Sequence, residues 1–396
     1  MQPIEIKKGV YWVGVIDWNI RDFHGYQTER GTTYNSYLVP GDKTVLFDTV
    51  KADFTGQFLS NLARVTDPAA IDYIIVNHVE MDHTGALPEV VKAVRPEKIF
   101  VSRSGAEALK AHHHFEDWPL EVVGEKDTID AGGRTISFIG SAMIHWPDSM
   151  VSYIKEDRLL ITNDIFGQHY ATSERFDDEV ERGELFHQSA KYYANIFYPM
   201  SPAVRKFLAK MDKLDLEYDM IAPDHGLIWR KNIDEIKSRY GSWSAAENRP
   251  AAVVVYDTMW ESTAAMARAI ARGLAGDGVS VRLFDLRKSH RSDVITEMLE
   301  ARAVIVGSSL LNGGILPKMA DMLTYMKGLR PGGKIGTVFG SYGWSDVVLK
   351  LLGGELEAMK IDLVDPGISV KYVPDEQALN DCMELGKRMR GYILDK

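Results

Sequence analysis

The hydrophobic positions in the first half of the chain form short runs. Each run is rich in Val, Ile, Tyr or Phe and is followed by Gly, Asp or Pro, which is the pattern of β-strands separated by turns. Helical stretches lie between several of them. The runs are VYWVGVI, NSYLV, KTVLFDTV, YIIV, KIFVS, RTISFIG and RLLIT. This part of the sequence therefore predicts a layered α/β sandwich.

The hydrophobic pattern changes near residue 245. From residue 249 onwards, near-continuous runs of Val and Ile alternate with helical segments, beginning with AAVVVYD and STAAMARAIARGL. A strand that is buried on both faces loses the alternation of apolar and polar residues, so these runs predict parallel strands with helices on both sides. We therefore predict two domains, residues 1–248 and residues 249–396, with a doubly wound parallel sheet in the second.

Composition narrows the class of protein. The 396-residue chain has a formal net charge of −10 and no run of Lys or Arg, which disfavours nucleic acid or an anionic membrane as a partner. Its single cysteine, Cys382, excludes an intramolecular disulfide and an iron site with four cysteine ligands. The N-terminal apolar run is too short for a signal peptide, and no stretch approaches the ~20 apolar residues of a membrane span. We expect a cytoplasmic protein.

One segment, directly after the run YIIV, concentrates imidazole and carboxylate groups. The segment NHVEMDH, residues 77–83, contains two histidines and two carboxylates within six positions: His78, Glu80, Asp82 and His83. Three further candidates lie at the ends of apolar runs beside loops marked by Gly or Pro: His145, Asp164 and His225. Such side chains can converge on a cation if the loops curl around one point. The alternative for each residue taken alone is a solvated polar position at a strand end.

The segment HVEMDH resembles the HxHxDH signature of the metallo-β-lactamase fold, with Glu80 in place of the second histidine. That replacement is the pattern of the flavodiiron proteins, or A-type flavoproteins, which include rubredoxin:oxygen oxidoreductases and nitric oxide reductases. The resemblance extends over nearly the whole chain, through DWNIRDFHGY, RGTTYNSYLV, HWPDSM, NDIFGQH, KYYANI and APDHGLIWR. It implies a metallo-β-lactamase-like αββα sandwich followed by a flavodoxin-like doubly wound parallel sheet.

The same resemblance implies a diiron centre. One iron would be held by His78, Glu80, His145 and Asp164, and the other by Asp82, His83, His225 and Asp164, with Asp164 as the bridge. Some family members do not use the histidine that matches His83. Replacing one imidazole by a carboxylate hardens the ligand set, which independently favours iron or manganese over zinc. The resemblance also places His24 and Tyr193 near the diiron pocket, as donors of hydrogen bonds or protons.

The second half of the chain carries candidate cofactor-binding residues. In TMWESTAAMARAIA, residues 258–271, hydroxyl groups lie at the start of a predicted helix, where free backbone N–H groups favour a phosphate. The segment has neither the Walker lysine nor GxGxxG, which argues against nucleoside triphosphates and Rossmann dinucleotides. It resembles the phosphate loop of flavodoxins, which binds FMN. Ordinary N-capping of the helix is the alternative.

Two later loops, GSSLLNGGILP and GSYGWSD, follow the third and fourth predicted parallel strands, at the edge where open α/β sheets bind ligands. They support FMN as the cofactor. Three of their residues, Ser309, Leu310 and Gly313, depart from those that are common in the family. The predicted FMN-binding residues are Thr258, Met259, Trp260, Ser262, Thr263, Ser308, Asn312, Gly313, Ser341, Tyr342, Gly343 and Trp344.

A diiron site and FMN can each store two electrons, which together match the reduction of dioxygen to water, and two electrons suffice to couple two nitric oxide molecules into nitrous oxide. The resemblance therefore implies a reductase of dioxygen or nitric oxide. Its electrons would come from an external donor, either a rubredoxin-like protein or a reduced deazaflavin. The family also implies a head-to-tail homodimer or a dimer of such dimers.

A second interpretation is a binuclear zinc hydrolase of the metallo-β-lactamase type with a regulatory flavodoxin-like module. Glu80 in place of histidine is the feature that discriminates between the two interpretations. A third, a pure electron carrier, leaves the seven candidate ligands unexplained.

Overall fold

The computed structural model describes residues 2–115 and 117–395. The chain forms two compact units: the residues up to Tyr192 together with Met200–Gly241, and Tyr193–Pro199 together with the residues from Ser242 onwards. The limits predicted from the sequence, 1–248 and 249–396, stay a prediction about which segments fold independently. Within the described ranges, none of the helices combines the length and apolar character that crossing a membrane requires.

The first unit contains two large β-sheets. One has the strand order β1-β2-β7-β8-β9-β10-β11, and the other has the order β12-β13-β14-β15-β16. The strands are β1 (Ile4–Lys7), β2 (Val10–Trp12), β3 (Val15–Asp17), β4 (Asp22–Phe23), β5 (Tyr26–Gln27), β6 (Thr32–Tyr34), β7 (Tyr37–Val39), β8 (Val45–Phe47), β9 (Tyr73–Val76), β10 (Lys98–Val101), β11 (Leu120–Val122), β12 (Thr128–Asp130), β13 (Thr135–Gly140), β14 (Met150–Ile154), β15 (Leu159–Ile161) and β16 (Met220–Ala222).

Among the described residues up to Ser244, the chain forms seven α-helices, and one short π-helix, Tyr193–Phe197, follows the fifth of them and belongs to the second unit. The α-helices are α1 (Thr55–Val65), α2 (Met81–Thr84), α3 (Leu87–Val94), α4 (Arg103–His113), α5 (Arg182–Tyr192), α6 (Ser201–Leu214) and α7 (Ile233–Ser244).

The alternation of side chains along the strands of the first sheet supplies two hydrophobic cores. Tyr37 of β7 points into a core that it shares with Phe138 of the second sheet. Its neighbour Leu38 points to the opposite face, where it joins Phe58 of α1 and Leu109 of α4. The first sheet is therefore covered by helices on one face and by the second sheet on the other, which confirms the predicted layered sandwich.

The strand register gathers candidate ligands at one edge of this sandwich. β15 and β16 are parallel and pair Ile161 with Ala222, so their carboxyl ends lie side by side. Asp164 and His225 follow three residues beyond these two positions. β14 runs antiparallel to β15, so the loop before β14 lies at the same edge and contains His145.

The second unit is built on a sheet with the parallel strand order β18-β17-β19-β21-β22, in which β23 also pairs with β21. This order is that of a doubly wound flavodoxin-like sheet, as predicted. Its strands are β17 (Arg249–Tyr256), β18 (Ser280–Asp285), β19 (Ala301–Leu311), β20 (Gly314–Ile315), β21 (Ile335–Tyr342), β22 (Asp362–Leu363) and β23 (Ile368–Lys371). Its helices are α8 (Ser262–Leu274), α9 (Arg291–Met298), α10 (Pro317–Leu329), α11 (Val348–Ala358) and α12 (Glu376–Leu394).

The structure adds a hairpin that the sequence analysis treated as a loop. β19 extends to Leu311 and turns back into β20, so that Leu311 pairs with Gly314. The two residues between them, Asn312 and Gly313, have φ angles of 52° and 74°. Asn-Gly is the sequence that a two-residue turn with positive φ at both positions favours, which explains why the strand folds back here.

Candidate metal centre and flavin cavity

The seven predicted metal ligands come together in two adjacent groups. Within each group, one ligand atom from every side chain lies within 4.8 Å of the others. One group contains His78, Glu80, His145 and Asp164, and the other contains Asp82, His83 and His225. These are the two sets expected from the sequence, except that Asp164, which was expected in both sets, is counted only in the first.

Asp164 faces both groups with different oxygen atoms. Its Oδ2 lies 2.9 Å from Nε2 of His145 and 3.4 Å from Nε2 of His78. Its Oδ1 lies 3.4 Å from Nε2 of His83 and 3.4 Å from Nε2 of His225. A carboxylate in this arrangement can donate one oxygen to each of two cations, so the geometry is that of a binuclear site.

Several ligand atoms of the cluster are buried without a hydrogen-bond partner among the described residues. They are Nε2 of His78, Nε2 of His83 and both carboxylate oxygens of Asp82. Because buried polar atoms are normally hydrogen-bonded, imidazole and carboxylate groups that converge without partners are typical of a metal site. A mixed set of four imidazoles and three carboxylates suits iron or manganese. The residues therefore fit a pair of such ions.

Contacts behind the cluster orient two of the imidazole rings. Nδ1 of His78 lies 3.0 Å from Oδ2 of Asp148, and the same oxygen accepts a hydrogen bond of 2.9 Å from the backbone N–H of Val79. Nδ1 of His225 donates a hydrogen bond of 2.7 Å to the backbone oxygen of Thr33. Partners of this kind select the ring orientation and leave Nε2 directed at the metal position.

The charges in the cluster shift the pKa values of its members. Burial alone would raise the pKa of Asp164, but His83 and His145 hold it well below its ordinary value. Burial lowers the pKa of His83, whereas Asp82 and Asp164 raise it, and the result is a pKa of about 10. Protons and metal ions therefore compete for the same imidazole atoms, and metal binding releases protons.

A cavity of about 600 Å³ opens onto this cluster, and Glu80 and Asp82 form part of its wall. His24 lies beside the cavity: its Nε2 is 3.2 Å from Oε1 of Glu80, and its side chain is 76% exposed. The cavity has an apolar lining as well, formed by Ile20, Phe23, Tyr34, Met81 and Trp146. A small uncharged molecule can therefore reach the carboxylates across a mostly apolar surface.

A second cavity, of about 350 Å³, lies at the carboxyl edge of the parallel sheet in the second unit. Two of its aromatic side chains, Trp260 and Trp344, are 84% and 90% exposed. Nine of the predicted FMN-binding residues line it: Met259, Trp260, Ser262, Asn312, Gly313, Ser341, Tyr342, Gly343 and Trp344. The residues that the prediction missed are Ser309, Leu310, Leu311, Ser345 and Tyr372.

The other three predicted residues, Thr258, Thr263 and Ser308, are buried. Oγ1 of Thr263 lies 2.9 Å from the hydroxyl oxygens of both Ser309 and Ser341. The hydroxyl of Ser308 accepts a hydrogen bond of 3.2 Å from the backbone N–H of Leu316, directly after β20, and donates one of 2.9 Å to the backbone oxygen of Ser309. Oγ1 of Thr258 has no hydrogen-bond partner in the described part of the chain.

The hydroxyl groups before α8 do not act as ordinary helix caps. The N-cap residue of α8 is Glu261, which has a φ of 67° and makes no hydrogen bond from its side chain to the helix. The backbone N–H groups at the start of α8 are therefore not capped by that side chain, and such groups favour an anion such as a phosphate monoester.

Comparison with known proteins agrees with both sites. The model of the ODP family beta lactamase matches residues 32–226, and the flavodoxin model matches residues 254–386. A nitric oxide reductase of Moorella thermoacetica is 44% identical over 397 residues, covering 100% of each chain. The solved rubredoxin oxygen:oxidoreductase of Desulfovibrio gigas superimposes with a TM-score of 0.97 at 42% identity over 100% of both chains. The flavodiiron protein of Giardia intestinalis gives a TM-score of 0.95 at 32% identity, covering 100% of this chain and 97% of that one.

The chain belongs to the flavodiiron family. It is an oxidoreductase with a metallo-β-lactamase-like domain and a flavodoxin-like domain, and its cofactors are a diiron centre and FMN, as the sequence predicted. The alternative of a zinc hydrolase with a regulatory flavodoxin-like module is not favoured, since the two relatives that match over the whole chain are a nitric oxide reductase and a rubredoxin oxygen:oxidoreductase.

The structure brings a different tyrosine to the diiron site of this flavodiiron protein from the one predicted. The hydroxyl of Tyr192 donates a hydrogen bond of 2.9 Å to Oδ1 of Asp164. The ring of Tyr193, the predicted residue, packs against Trp243 with centroids 5.3 Å apart, and Tyr193 belongs to the second unit. Successive side chains of a helix point about 100° apart, so two neighbours do not face the same site. Tyr192 is therefore the tyrosine seen beside Asp164, and the role of Tyr193 stays a prediction.

His169, the last residue of the motif NDIFGQH, lies near the diiron centre and was not among the predicted site residues. The side chain is fully buried, and its Nδ1 lies 2.7 Å from Oγ1 of Thr32. Its ring meets the rings of Tyr192 and His225 edge-on, with centroids 4.9 Å away in both cases. Burial and the neighbouring His225 hold the pKa of His169 well below its ordinary value, so it is a neutral imidazole. Its place five residues after Asp164, in one motif, was the available signal.

Proposed function

We propose that this flavodiiron protein reduces dioxygen to water, or nitric oxide to nitrous oxide and water, at its diiron centre with electrons that arrive through FMN. The observation that carries the proposal is Asp164, whose two oxygens face two separate groups of ligands. The similarity to a nitric oxide reductase and to a rubredoxin oxygen:oxidoreductase supports the two gases as substrates.

The proposed ligands are those that the two groups contain. One iron would be held by His78, Glu80, His145 and Oδ2 of Asp164, and the other by Asp82, His83, His225 and Oδ1 of Asp164. When bound, the irons and the FMN store and deliver the electrons of the reduction. The protein keeps the ligand rings in place through Asp148 and the backbone of Thr33.

Reduction of either gas consumes protons, and two groups near the diiron centre can donate hydrogen bonds there. His24, exposed to solvent, lies 3.2 Å from Glu80, so its imidazole can exchange a proton with water and with that carboxylate. The hydroxyl of Tyr192 is directed at Asp164 and supplies a hydrogen bond at the bottom of the site. The apolar side chains that line the cavity limit the access of water to the diiron centre.

The flavin would occupy the cavity of the second unit. We propose that the ring lies among Trp260, Tyr342, Trp344 and the Asn312–Gly313 turn, and that the hydroxyl groups of Thr258, Ser262 and Thr263 lie near the phosphate. Met259, Gly343, Ser308 and Ser341 complete the proposed site. As proposed domains, residues 1–248 carry the irons and residues 249–396 carry the flavin.

We further propose that two copies assemble head to tail, alone or as a dimer of such dimers, so that the flavin of one copy faces the irons of the other. Electron transfer weakens steeply with distance, so the two cofactors must approach each other. Trp260 and Trp344 are large, apolar and almost fully exposed, which is typical of a surface that a partner covers. The electron donor is a rubredoxin-like protein or a reduced deazaflavin, and the proposed location is the cytoplasm.

Anaerobic kinetics test this function. The protein as isolated is assayed for iron, zinc and FMN, and is then mixed with dioxygen or nitric oxide in the presence of a reduced rubredoxin, a reduced deazaflavin or NADH. We expect about two irons and one FMN per chain, and rapid gas consumption with the first two donors only. Light scattering of the same preparation gives the number of copies.

Two variants separate the diiron centre from general effects of substitution. Asp164→Ala should lose iron and gas reduction while it retains FMN, because the shared carboxylate is gone. The matched control is Asp212→Ala, at an exposed position of α6. This variant should retain iron, FMN and gas reduction. A colourless protein that contains zinc, or an Asp164→Ala variant with full iron and full turnover, would overturn the proposal.

A further inference from the structure

One histidine that lines the cavity at the diiron centre is not among the proposed metal ligands. His112 lines this cavity near the end of α4. His113 and His114 follow it, so that three imidazoles stand in a row at the end of one helix. His114 is exposed, whereas His112 and His113 are only partly exposed. The row therefore leads from the protein surface to the cavity.

Ring contacts connect this row to the metal ligands on one side and to the surface on the other. The ring of His112 lies 6.1 Å from that of Trp146, and the ring of Trp146 lies 5.4 Å from that of His78. In the other direction, the rings of His112 and His113 are 6.2 Å apart, and the ring of His113 is 5.6 Å from that of Trp118. His112 is therefore the imidazole of the row nearest to the cavity.

One nitrogen in each of these two rings is free of protein hydrogen bonds. Nδ1 of His112 and Nε2 of His113 are buried, and neither has a hydrogen-bond partner in residues 2–115 and 117–395. A histidine with a purely structural role in the interior usually has both nitrogens satisfied by the protein. The ligand ring of His78, in contrast, is held at Nδ1 by Asp148.

The chemistry of the imidazole side chain suits proton transfer. Imidazole is the side chain whose ordinary pKa lies nearest to neutrality, and its two nitrogens let a proton enter at one side while another leaves at the other. Burial, together with His112 and His114, lowers the pKa of His113. At neutral pH its ring is therefore uncharged and carries one N–H and one lone pair.

The start of α4 is fastened to the loop that orients a metal ligand. Ser102 caps the helix by accepting a hydrogen bond of 3.0 Å from the backbone N–H of Gly105. Its hydroxyl donates a hydrogen bond of 2.7 Å to the backbone oxygen of Asp148. Because the carboxylate of Asp148 contacts His78, the helix that carries His112 is held in register with the diiron centre.

We propose that His112 and His113 form a proton relay from the surface into the cavity of the diiron centre. The proposal rests on the proposed function, because the reduction consumes four protons for each dioxygen, or two for each pair of nitric oxide molecules. In each transfer, an N–H bond of His112 breaks and its proton joins the oxygen that becomes water. The other nitrogen of the His112 ring then takes a proton from His113. His113 in turn takes a proton from solvent. No electron passes through the imidazoles, since all the electrons come from the external donor by way of FMN.

Other charged groups share the cavity with His112, and they define what else could carry protons. On the cavity wall these groups are Asp22, His24, Lys51, Glu80 and Asp82, and at the end of α4 they are Lys110, His113 and His114. Lys51 is paired with Asp53 at 3.0 Å. His24 is exposed at the mouth of the cavity, where the proposed partner copy would cover it. A relay that begins at the end of α4 does not depend on that mouth.

The test compares His112→Gln and His113→Gln with His114→Asn in the full-length holoprotein. His114→Asn is the matched control, because it removes an exposed imidazole from the same helix end, and its φ of 50° is one that asparagine tolerates. Iron and FMN contents are measured first. The kcat for each gas is then measured as a function of pH, with and without added imidazole as a diffusible proton carrier.

We expect His112→Gln and His113→Gln to retain both cofactors and to lose about 10- to 100-fold in kcat, because a positioned proton donor contributes on the order of 10²-fold or more. Added imidazole should restore most of the lost rate. The dependence of kcat on pH should differ from that of the parent protein in both variants. His114→Asn should behave as the parent protein does.

Three results would overturn the relay. An unchanged kcat and pH profile in both glutamine variants would show that protons reach the cavity by another path. Loss of iron in His112→Gln, or a slow rate that imidazole does not restore, would show that the ring only supports the structure of the wall. A parent protein that reduces neither gas would refute the proposed function itself, whereas an active parent with unaffected variants would refute the relay alone.

Discussion

The hydroxyl of Tyr192 donates a hydrogen bond of 2.9 Å to Oδ1 of Asp164. That oxygen is the one that faces His83 and His225, so the phenol restrains the carboxylate on the side of the second ligand group. Burial and the charge of Asp164 raise the pKa of Tyr192 well above its ordinary value. The hydroxyl therefore stays protonated and acts as a donor throughout the physiological pH range.

Replacing Tyr192 by Phe should impair the diiron centre more than replacing Tyr193 by Phe. A hydrogen bond to a charged group contributes about 1.5–3 kcal/mol, so we expect Tyr192→Phe to lower turnover by about tenfold and to retain iron less well under dialysis. Tyr193→Phe is the matched control, since its ring packs against Trp243. Iron content and steady-state rates with both gases measure the difference, and equal losses in the two variants would contradict it.

Replacing Asp148 by Asn should weaken iron binding at the group that contains His78. Asn still fits the space but no longer carries the charge that holds Nδ1 of His78, 3.0 Å away. Loss of such an outer partner typically lowers metal affinity by about 10- to 100-fold. Competition with a chelator of known affinity measures the change. Asp157→Asn, which breaks an ion pair with Arg134 elsewhere in the first unit, should leave the affinity as it was.

The metal ligands could be predicted because strand ends are visible in the sequence. Asp164 and His225 each follow an apolar run by the same number of residues, and parallel strands bring such positions to one edge. The identity of the second half followed from strands that are apolar throughout. In both cases the pattern that supports the prediction lies within a short segment of sequence. The rules for connecting strands and helices then leave few possible topologies.

Two features were harder to read from the sequence, because the helix phase or the strand pairing that determines them is not local. Tyr192 ends α5 and Tyr193 begins a π-helix, so the ordinary spacing of 3.6 residues does not tell which tyrosine faces the centre. The segment that contains the hairpin at Asn312 and Gly313 was predicted as a loop, and it is also the segment in which Ser309, Leu310 and Gly313 depart from the residues common in the family. Asn-Gly between apolar residues was nevertheless the available hairpin signal.

Replacing Thr258 by Val should weaken FMN binding in the full-length protein. The hydroxyl of Thr258 is buried without a partner in the described part of the chain, at the loop before α8 where the phosphate is proposed to lie. Loss of a hydrogen bond to a charged group corresponds to about a 10- to 100-fold weaker Kd. Quenching of flavin fluorescence on rebinding to the apoprotein measures it.

Thr296→Val is the control for the flavin measurement, because the hydroxyl of Thr296 is also buried in the second unit but donates to the backbone oxygen of Ser292. It should bind FMN with the parent Kd. Equal affinity of both variants and the parent protein would show that Thr258 does not contact the cofactor. Selective rebinding of FAD instead of FMN would contradict the proposed phosphate position.

Lys334 should make the stability of the flavodoxin-like unit depend on pH. Its ammonium group is buried, where it donates to Oδ1 of Asn248 at 2.6 Å and to the backbone oxygen of Leu299 at 3.2 Å. Burial, helped by the nearby Arg302, lowers the pKa of Lys334 from 10.5 to about 7. Between these two values the unfolded chain holds a proton that the folded one has released. Stability therefore rises with pH across this window, by up to about 5 kcal/mol at about 1.36 kcal/mol for each pH unit.

Replacing Lys334 by Met should remove this dependence. Below pH 7 the folded parent protein must carry the buried charge, so Lys334→Met should be the more stable of the two there, and the advantage should shrink as the pH approaches 10 because the neutral amine keeps its two hydrogen bonds. Urea unfolding followed by flavin fluorescence between pH 6 and about 10 measures both curves. Lys327→Met, which removes an exposed ammonium group paired with Glu355, is the control and should run parallel to the parent curve. A parent curve that falls as the pH rises from 7 to 9, relative to Lys334→Met, would contradict the assigned pKa.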